Sequence, residues 1–139
     1  MKILVSACLL GENCKYNGGN NYCQKVVDLV EGREVIRICP EVLAGMSIPR
    51  VPMEIRDGVV VDRDGNVTDD AIRKTVAKIL EQLKEEDIEY AILKARSPTC
   101  GVHRIYDGTF TGTQVPGAGV LAQALMDAGY RVVDEEELA

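Results

Sequence analysis

The chain begins, after Met1, with the stretch Lys2-Ile3-Leu4-Val5-Ser6-Ala7-Cys8. Its short apolar run with isoleucine and valine is typical of a strand that is buried on both faces, as strands of parallel sheets are. Glycine and asparagine cluster in residues 10–19, which indicates a loop. We therefore expect a first strand at residues 2–6 and, just beyond its carboxyl end, a cysteine.

The same arrangement occurs twice more along the chain. Cys39 follows the run Val35-Ile36-Arg37-Ile38, and Cys100 comes shortly after Ala91-Ile92-Leu93. In a parallel sheet, the loops that leave the carboxyl ends of the strands line one common crevice, where ligands bind. Three thiols distant in sequence are thus predicted to meet at one place. Three soft ligands with one position left over are typical of an open iron–sulfur or metal site.

The remaining segments alternate between helical and strand patterns. A helical pattern at residues 26–30 closes at Gly32, and a second one follows Thr68 with apolar residues at helical spacing from Ile72 to Leu83. A turn at Asp57-Gly58 indicates a hairpin. The full prediction gives strands at 2–6, 34–38, 89–94 and 130–133, a hairpin at 54–62, a last helix at 117–128, and loops at 39–52 and 96–116.

This alternation predicts the fold class. Strands that alternate with helices form a parallel sheet with right-handed crossovers and helices on both faces. A chain of 139 residues has the length of one domain. We therefore expect residues 1–139 to form a single small three-layer, Rossmann-like α/β domain, with a mostly parallel four-stranded sheet and a short hairpin.

Composition narrows the function classes. The net charge of −6 argues against nucleic acid as a partner, because backbone-binding proteins need a cationic face. A local basic rim, formed by Arg50, Lys94, Arg96 and Arg104, could still hold one small anionic group.

No apolar run approaches the length of a membrane span, about 18 residues, and Cys8 comes too early to follow a secretion signal. The odd number of cysteines, five, favours reduced thiols or ligands over disulfides, so we expect a cytoplasmic protein.

The cysteine spacing leaves two metal chemistries open. There is no Cys-x-x-Cys pair, which weakens the zinc-ribbon and thioredoxin interpretations. Three convergent thiolates could hold either zinc or a cluster with an open corner. Cys14 and Cys23 lack the placement of the other three and are interpreted as structural or surface residues. The alternative for Cys14, which is close to Cys8 in sequence, is a backup ligand. His103 is the only histidine, and we expect it to lie outside the site.

Polar residues near the three cysteines are candidates for the chemistry. Glu41 lies two residues beyond Cys39 and could act as a general acid or base beside the metal. Ser97, in the turn before Cys100, could hydrogen-bond a substrate. The Pro116-Gly117-Ala118-Gly119 segment opens a helix and could direct backbone N–H groups at an anion. The predicted substrate-binding residues are Ser6, Arg50 and Gly117.

Five motifs follow one another along the chain. They are Ser6-Ala7-Cys8-Leu9-Leu10-Gly11, Lys15-Tyr16-Asn17-Gly18, Cys39-Pro40-Glu41-Val42 with Pro49-Arg50, Lys94-Ala95-Arg96-Ser97-Pro98-Thr99-Cys100-Gly101 and Pro116-Gly117-Ala118-Gly119-Val120. In these motifs and their order the chain resembles the DUF523 family, which includes the thiouracil desulfidases. The resemblance implies a 4Fe–4S cluster held by Cys8, Cys39 and Cys100, with the fourth iron free to take the sulfur of the substrate. It also implies that Glu41 and Ser97 handle the substrate.

The leading hypothesis is therefore an iron–sulfur enzyme, a desulfidase. It would remove sulfur, without net redox change, from a small thiolated pyrimidine or a related thioamide. A thiocarbonyl sulfur is soft and suits an open iron, and Glu41 would activate water for attack on the carbon. Two alternatives are a cluster- or sulfide-binding carrier or sensor without catalytic activity, and a zinc-containing nucleotide-binding domain.

Overall fold

The computed structural model of the protein describes residues 1–138. None of the helices in this range is both long and apolar enough to cross a membrane. Two short 3-10 turns, Ala7–Leu10 and Glu135–Glu137, accompany the main elements. In chain order these are β1 (Lys2–Ser6), α1 (Gln24–Val30), β2 (Glu34–Ile38), α2 (Pro40–Leu43), β3 (Met53–Arg56), β4 (Val59–Asp62), α3 (Asp69–Leu83), β5 (Ile88–Leu93), β6 (Arg104–Tyr106), β7 (Gln114–Pro116), α4 (Val120–Asp127) and β8 (Val132–Asp134).

A four-stranded parallel sheet forms the centre of the molecule, in the order β2-β1-β5-β8. The chain moves outward from β1 to β2 and then returns to the other side of β1 to form β5. The strand order thus reverses between β1 and β5. In open parallel sheets this reversal separates the loops at the carboxyl edge and creates a crevice.

Helices cover both faces of this sheet, as the alternation of the sequence predicts. Successive strand residues point to opposite faces. Ile3 and Val5 therefore pack towards α1, in a cluster with Val26 and Val30. Leu4 points the other way, into a larger cluster with the buried residues of α3 and α4. The three-layer α/β fold is confirmed, and its core is mostly aliphatic.

The structure also contains elements that the sequence pattern did not predict. The β3–β4 hairpin lies where it was expected, but a second antiparallel hairpin, β6–β7, occupies the predicted loop at 96–116. Its strands have three residues each, too few for an alternating pattern to stand out. A single helical turn, α2, lies in the predicted loop at 39–52 for the same reason of length. The last helix begins at Val120 rather than at residue 117.

The late start of α4 has a specific cause in hydrogen bonding. The first N–H groups of a helix have no partner within the helix. Here those of Gly119, Val120 and Leu121 donate to the carbonyls of Gly101, Pro98 and Thr99, at 2.8, 3.0 and 2.8 Å. The turn at residues 97–101, which follows β5 and carries Cys100, is thereby bonded to the beginning of α4.

Gly119 is the position where this packing leaves no room for a side chain. A Cβ there would lie 2.5 Å from the carbonyl carbon of Thr99 and 2.8 Å from the amide nitrogen of Cys100. We expect Gly119→Ala to lower the free energy of unfolding by more than about 2 kcal/mol, because backbone must move. Gly45→Ala is the control: its Cβ would meet nothing within 4 Å, and only its left-handed φ of +84° penalises a side chain. Urea denaturation measures both, and an equal or smaller loss for Gly119→Ala would contradict the packing described.

Candidate metal centre

A cleft with a volume of about 540 Å³ opens at the carboxyl edge of the central sheet. Its walls come from the segments that follow β1, β2 and β5, together with parts of the β3–β4 and β6–β7 hairpins. Cys8, Cys39 and Cys100 all line it. The three cysteines that follow strands in the sequence are therefore brought to one cavity.

Each of the three cysteines is held by a different local structure. Cys8 lies in the 3-10 turn directly after β1, and Cys39 precedes α2, where Pro40 takes the first helical position. Cys100 lies in the turn at residues 97–101 and is only 5% exposed. All three are free thiols. Pro40 suits a helix start because its ring fixes φ and the missing N–H is not needed there.

Cys14 is a fourth thiol in the same cleft, and the sequence did not predict it there. It is buried and lines the cavity, and the Cys39 thiol lies 4.0 Å from its carbonyl oxygen. Cys23, by contrast, packs against the core cluster on the α1 side of the sheet. The short spacing between Cys8 and Cys14 was the only sequence signal for this placement.

The distances between the sulfur atoms of the cleft thiols indicate which metal group these residues could hold. Within residues 1–138, three potential ligand atoms lie within 4.8 Å of one another only at His103, Asp134 and Glu137, so no three cleft thiols do. A zinc ion with Zn–S bonds of about 2.3 Å holds its sulfurs about 3.8 Å apart. In a 4Fe–4S cluster each cysteine binds a different iron, and the sulfurs stand farther apart. The donor set therefore fits a cluster better than a single zinc ion.

The His103 group itself is accounted for by hydrogen bonds among its members. His103 Nε2 and Glu137 Oε1 are 2.5 Å apart, and the Asp134 carboxylate caps the Glu135–Glu137 turn by accepting from the N–H groups of Glu136 and Glu137. His103 lines a separate, smaller cavity that also includes Arg104. The sequence predicted that His103 lies outside the cysteine site.

Burial favours the protonated form of three thiols in the cleft, those of Cys8, Cys14 and Cys100. Burial raises the pKa of Cys100 to about 12, although hydrogen bonds from Ser6 and Thr99 act in the opposite direction. Burial likewise raises the pKa of Cys14 to about 12, with Cys39 and Cys8 adding to the effect, and it raises the pKa of Cys8. Since metals bind thiolates, metal binding must release these protons.

Glu41 lines the same cleft and is fixed by two hydrogen bonds, one to each carboxylate oxygen. Arg50 donates from Nε to Oε1 at 2.9 Å, and Thr99 donates from its hydroxyl to Oε2 at 3.3 Å. The side chains of Arg50 and Glu41 are 8% and 13% exposed, so this ion pair is shielded from solvent. Arg50 also donates to the carbonyls of Cys14 and Ser47. Three of its five N–H donors are therefore engaged by the protein. Arg50, which the sequence predicted to bind substrate, also lines the cleft.

Ser97 organises the turn that carries Cys100. Its Oγ accepts hydrogen bonds from the N–H groups of Thr99 and Cys100, both at 3.1 Å, and lies 3.0 Å from the Thr99 hydroxyl. The Thr99 side chain is buried, at 1% exposure, and its hydroxyl contacts both Ser97 and Glu41, so it links these two residues. The sequence prediction named Ser97 and Glu41 but missed Thr99, because a threonine between proline and cysteine has no distinctive pattern.

The other predicted substrate contacts divide into two groups. Ser6 lines the cleft, where its hydroxyl accepts from the N–H of Lys94 at 3.0 Å. Gly117 does not join it: its N–H donates to the His103 carbonyl at 3.0 Å, and it is not among the residues that form the cleft in the described chain. In the segment that was expected to meet an anion, the N–H groups of Gly117 and Gly119 donate instead to the backbone carbonyls of His103 and Gly101.

The basic rim is present but largely neutralised by carboxylates. Lys94 pairs with Glu135 and Arg96 with Glu136, both from the turn at the end of the chain. Arg104 lies at the smaller cavity instead. Two cations that were not predicted, Lys15 and Arg63, also line the cleft.

Comparisons with known proteins agree with this geometry. The model of the 2-thiouracil desulfurase family matches residues 3–137. The chain belongs to this family. It is 40% identical, over 98% of its length and 97% of the other protein, to the uncharacterized protein YbbK of Bacillus subtilis (strain 168).

A solved structure is similar over nearly the whole chain. It is that of the 4Fe–4S-dependent thiouracil desulfidase TudS (DUF523Vcz), with a TM-score of 0.90 and 35% identity, covering 99% of this chain and 92% of that one. The predicted family and fold class are both confirmed. Membership of the family supports a desulfidase that acts on a small thiolated base. The dependence on a 4Fe–4S cluster is a property of TudS.

The raised pKa of Cys100 predicts alkaline instability of the cluster-free protein. The pKa of a cysteine thiol in the unfolded chain is about 8.5, whereas burial raises the pKa of Cys100 in the folded protein to about 12. The contribution of this thiol to folding is therefore complete below about pH 8.5 and is lost as the pH rises towards 12. We expect the free energy of unfolding of the reduced protein to fall over this range.

Comparison with Cys100→Ala isolates the contribution of this thiol from that of every other group in the protein. Urea denaturation at pH 7.5, 9 and 10.5 should give a steeper loss for the wild type than for Cys100→Ala. Cys23→Ser, outside the cleft, should keep the wild-type slope. Equal slopes for the wild type and Cys100→Ala would show that the Cys100 thiol is not buried as described.

Proposed function

We propose that this protein is a 4Fe–4S-dependent desulfidase that hydrolyses a thiolated pyrimidine, such as 2-thiouracil, to the corresponding oxo base and hydrogen sulfide. The observation that carries this proposal is the shared cleft, in which three loop cysteines face a carboxylate held by Arg50 and Thr99. The family and the TudS structure agree with it. The net reaction adds one water and changes no oxidation state.

We assign the three cluster ligands to Cys8, Cys39 and Cys100. They lie on three separate loops at the edge of one rigid sheet, so the fold rather than a local motif sets their spacing. When bound, a 4Fe–4S cluster with one iron not ligated by cysteine supplies a soft Lewis acid that favours the sulfur of a thiocarbonyl. Cys14, near Cys39, is left outside the ligand set.

Glu41 is assigned the role of general base. It follows Cys39 by two residues, and its carboxylate lines the cleft in which the substrate carbon would lie. Arg50 and Thr99 fix both carboxylate oxygens before the substrate arrives, which spares the reaction the reorganisation of a mobile side chain. Glu41 would take a proton from the water that attacks the carbon bearing sulfur.

The hydroxyls of Ser97 and Thr99 form a route by which this proton can be returned. Ser97 Oγ and Thr99 Oγ1 are 3.0 Å apart, and the Thr99 hydroxyl is 3.3 Å from Glu41 Oε2. A proton taken by Glu41 would pass from its Oε2 through the Thr99 hydroxyl to that of Ser97, which also lines the cleft. Ser6, which hydrogen-bonds the N–H of Lys94 at the cleft wall, is the remaining hydroxyl assigned to substrate contact.

The proposal predicts a cluster that depends on three cysteines. We expect anaerobic reconstitution to give brown protein with about four iron and four sulfide per chain that converts 2-thiouracil to uracil. Serine variants of Cys8, Cys39 or Cys100 should lose most of the iron and the turnover, because each removes one thiolate. Cys23→Ser is the matched control and should keep both. Iron and sulfide analysis with a uracil assay by chromatography measures the outcome.

The outcomes of this experiment separate the candidate functions. A wild-type protein that binds the cluster but converts no thiolated base would support a carrier or sensor instead. A colourless protein that takes up zinc but no iron under the same conditions would refute the desulfidase.

Replacement of Glu41 tests the general base separately from the cluster. Glu41→Gln keeps an oxygen for Arg50 but cannot take a proton, and we expect kcat to fall by about 10²-fold or more while the iron content stays at the wild-type value. Glu12→Gln is the control, since Glu12 is an exposed carboxylate paired with Arg37. Steady-state kinetics with 2-thiouracil gives both values. A Glu41→Gln enzyme with wild-type kcat would assign the base to another residue.

A further inference from the structure

The loop between β6 and β7 brings the only phenylalanine of the chain to the cleft. Phe110 lies in this loop, and both Phe110 and Tyr106, at the end of β6, line the cavity. The proposed chemistry uses neither residue. Phe110 nevertheless has an unusual backbone conformation, and its backbone N–H is bonded to a buried carboxylate.

The backbone of Phe110 is in a conformation that bulky residues avoid. Its φ is +57°, in the left-handed region, where glycine and asparagine are common and phenylalanine is rare. In residues 1–138 the other non-glycine residues with positive φ are Asp57, in the β3–β4 turn, and Arg96, which also lines the cleft. Strained backbone of this kind persists only where the surrounding structure holds it, and it is concentrated at functional sites.

The group that holds the Phe110 backbone is a buried carboxylate. Glu54 on β3 is 9% exposed, and its Oε1 accepts the N–H of Gly108 at 3.0 Å and the N–H of Phe110 at 3.1 Å. A carboxylate is removed from water only at a large free-energy penalty unless it is hydrogen-bonded. Here the compensating bonds fix the two amides that flank Thr109 and so set the direction in which the loop presents residue 110.

A second contact from the same strand fastens the loop. Arg56 donates from Nε to the carbonyl of Gly108 at 2.8 Å. At Gly108 the φ is +92°, and a Cβ would lie 2.6 Å from the Cβ of Arg56, so only glycine allows this approach. Two charged residues of β3, Glu54 and Arg56, therefore hydrogen-bond the loop between β6 and β7.

Glu54 also lines the cleft, so its role must be weighed against that of a second general base. The partners of the two carboxylates differ: Glu41 is bonded through Thr99 to the turn that carries Cys100, whereas Glu54 is bonded to the β6–β7 loop. Oε1 of Glu54 already accepts two backbone N–H groups, both at normal hydrogen-bond distance. Its contacts are those of a group that shapes the loop, and Glu54 is therefore treated as a positioning residue.

We infer that Glu54 and Arg56 hold Phe110 as an aromatic wall against which the planar ring of the substrate stacks. Aromatic side chains bind flat heterocycles by stacking, and every pyrimidine presents such a face. The wall would select ring-shaped thioamides and would hold the ring while Glu41 acts on its carbon. The inference rests on the proposed desulfidase function.

The first test removes the ring of Phe110 but keeps an apolar side chain. With anaerobically reconstituted enzyme, Phe110→Leu should raise KM for 2-thiouracil and the inhibition constant of uracil by at least about 5-fold, with a smaller effect on kcat. The iron content should not change. Phe110→Tyr restores a ring and should bring both constants back near the wild-type values. Unchanged KM and inhibition constant in Phe110→Leu would overturn the inference.

The second test addresses the carboxylate that holds the loop. Glu54→Ala should raise KM as Phe110→Leu does and should speed hydrogen exchange at the amides of Gly108 and Phe110, because both lose their acceptor. Glu54→Gln keeps an accepting oxygen and should retain slow exchange and most of the affinity. A large loss of kcat in Glu54→Gln with slow exchange intact would make Glu54 a chemical group and would overturn its positioning role.

These measurements also separate the inference from the function on which it rests. A wild-type enzyme without thiouracil turnover would refute the proposed function. Normal turnover in the wild type together with wild-type constants in Phe110→Leu would refute the aromatic wall alone.

Discussion

In the central sheet, Ser6 pairs with Ile38 on one side of β1, and Val5 pairs with Ile92 on the other. This parallel register brings the ends of β1, β2 and β5 to the same edge, and everything in the candidate site depends on it. A shift of one residue would turn each strand over and move its core side chains to the opposite face. Because both faces are covered by helices, the aliphatic core fixes the register and thereby the place where the cysteine loops emerge.

The polar groups of the site are satisfied within the protein before any ligand binds. In residues 1–138 no buried side-chain nitrogen or oxygen lacks a hydrogen-bond partner. Arg50 and Thr99 donate hydrogen bonds to the Glu41 carboxylate, and Ser97 Oγ accepts from backbone N–H groups of the turn that carries Cys100. Such a site is preorganised, so little reorganisation is needed when charge develops during a reaction. Residues of the β3–β4 and β6–β7 hairpins contribute further walls of the cleft.

Long and periodic features were the ones that the sequence predicted well. The bounds of β1 and β2, the apolar stripe of α3 from Ile72 to Leu83 and the β3–β4 hairpin all agree with the expectation. Each of these depends on local pattern, either alternation, helical spacing or a turn residue. The three cysteines at the cleft followed from the same strands through the geometry of parallel sheets.

Short elements and long-range contacts could not be read from local pattern. The β6–β7 hairpin and α2 are too brief to show a period, and the start of α4 is set by carbonyls of a distant turn. The same contacts account for Gly117, whose N–H was expected to meet an anion. Phe110 and Glu54 interact across more than fifty residues, and the meeting of Cys14 with the other thiols depends on how its loop folds back. Only tertiary structure brings such pairs together.

Diffraction at the iron absorption edge, from anaerobically grown crystals of the reconstituted protein, is the most direct test of a three-cysteine cluster site at the edge of this sheet. The expected map has one compact iron cluster in the cleft, bonded to the sulfurs of Cys8, Cys39 and Cys100 and to no other side chain. Iron bound to Cys14 in place of one of these, or metal bound elsewhere with the three thiols free, would contradict the assignment.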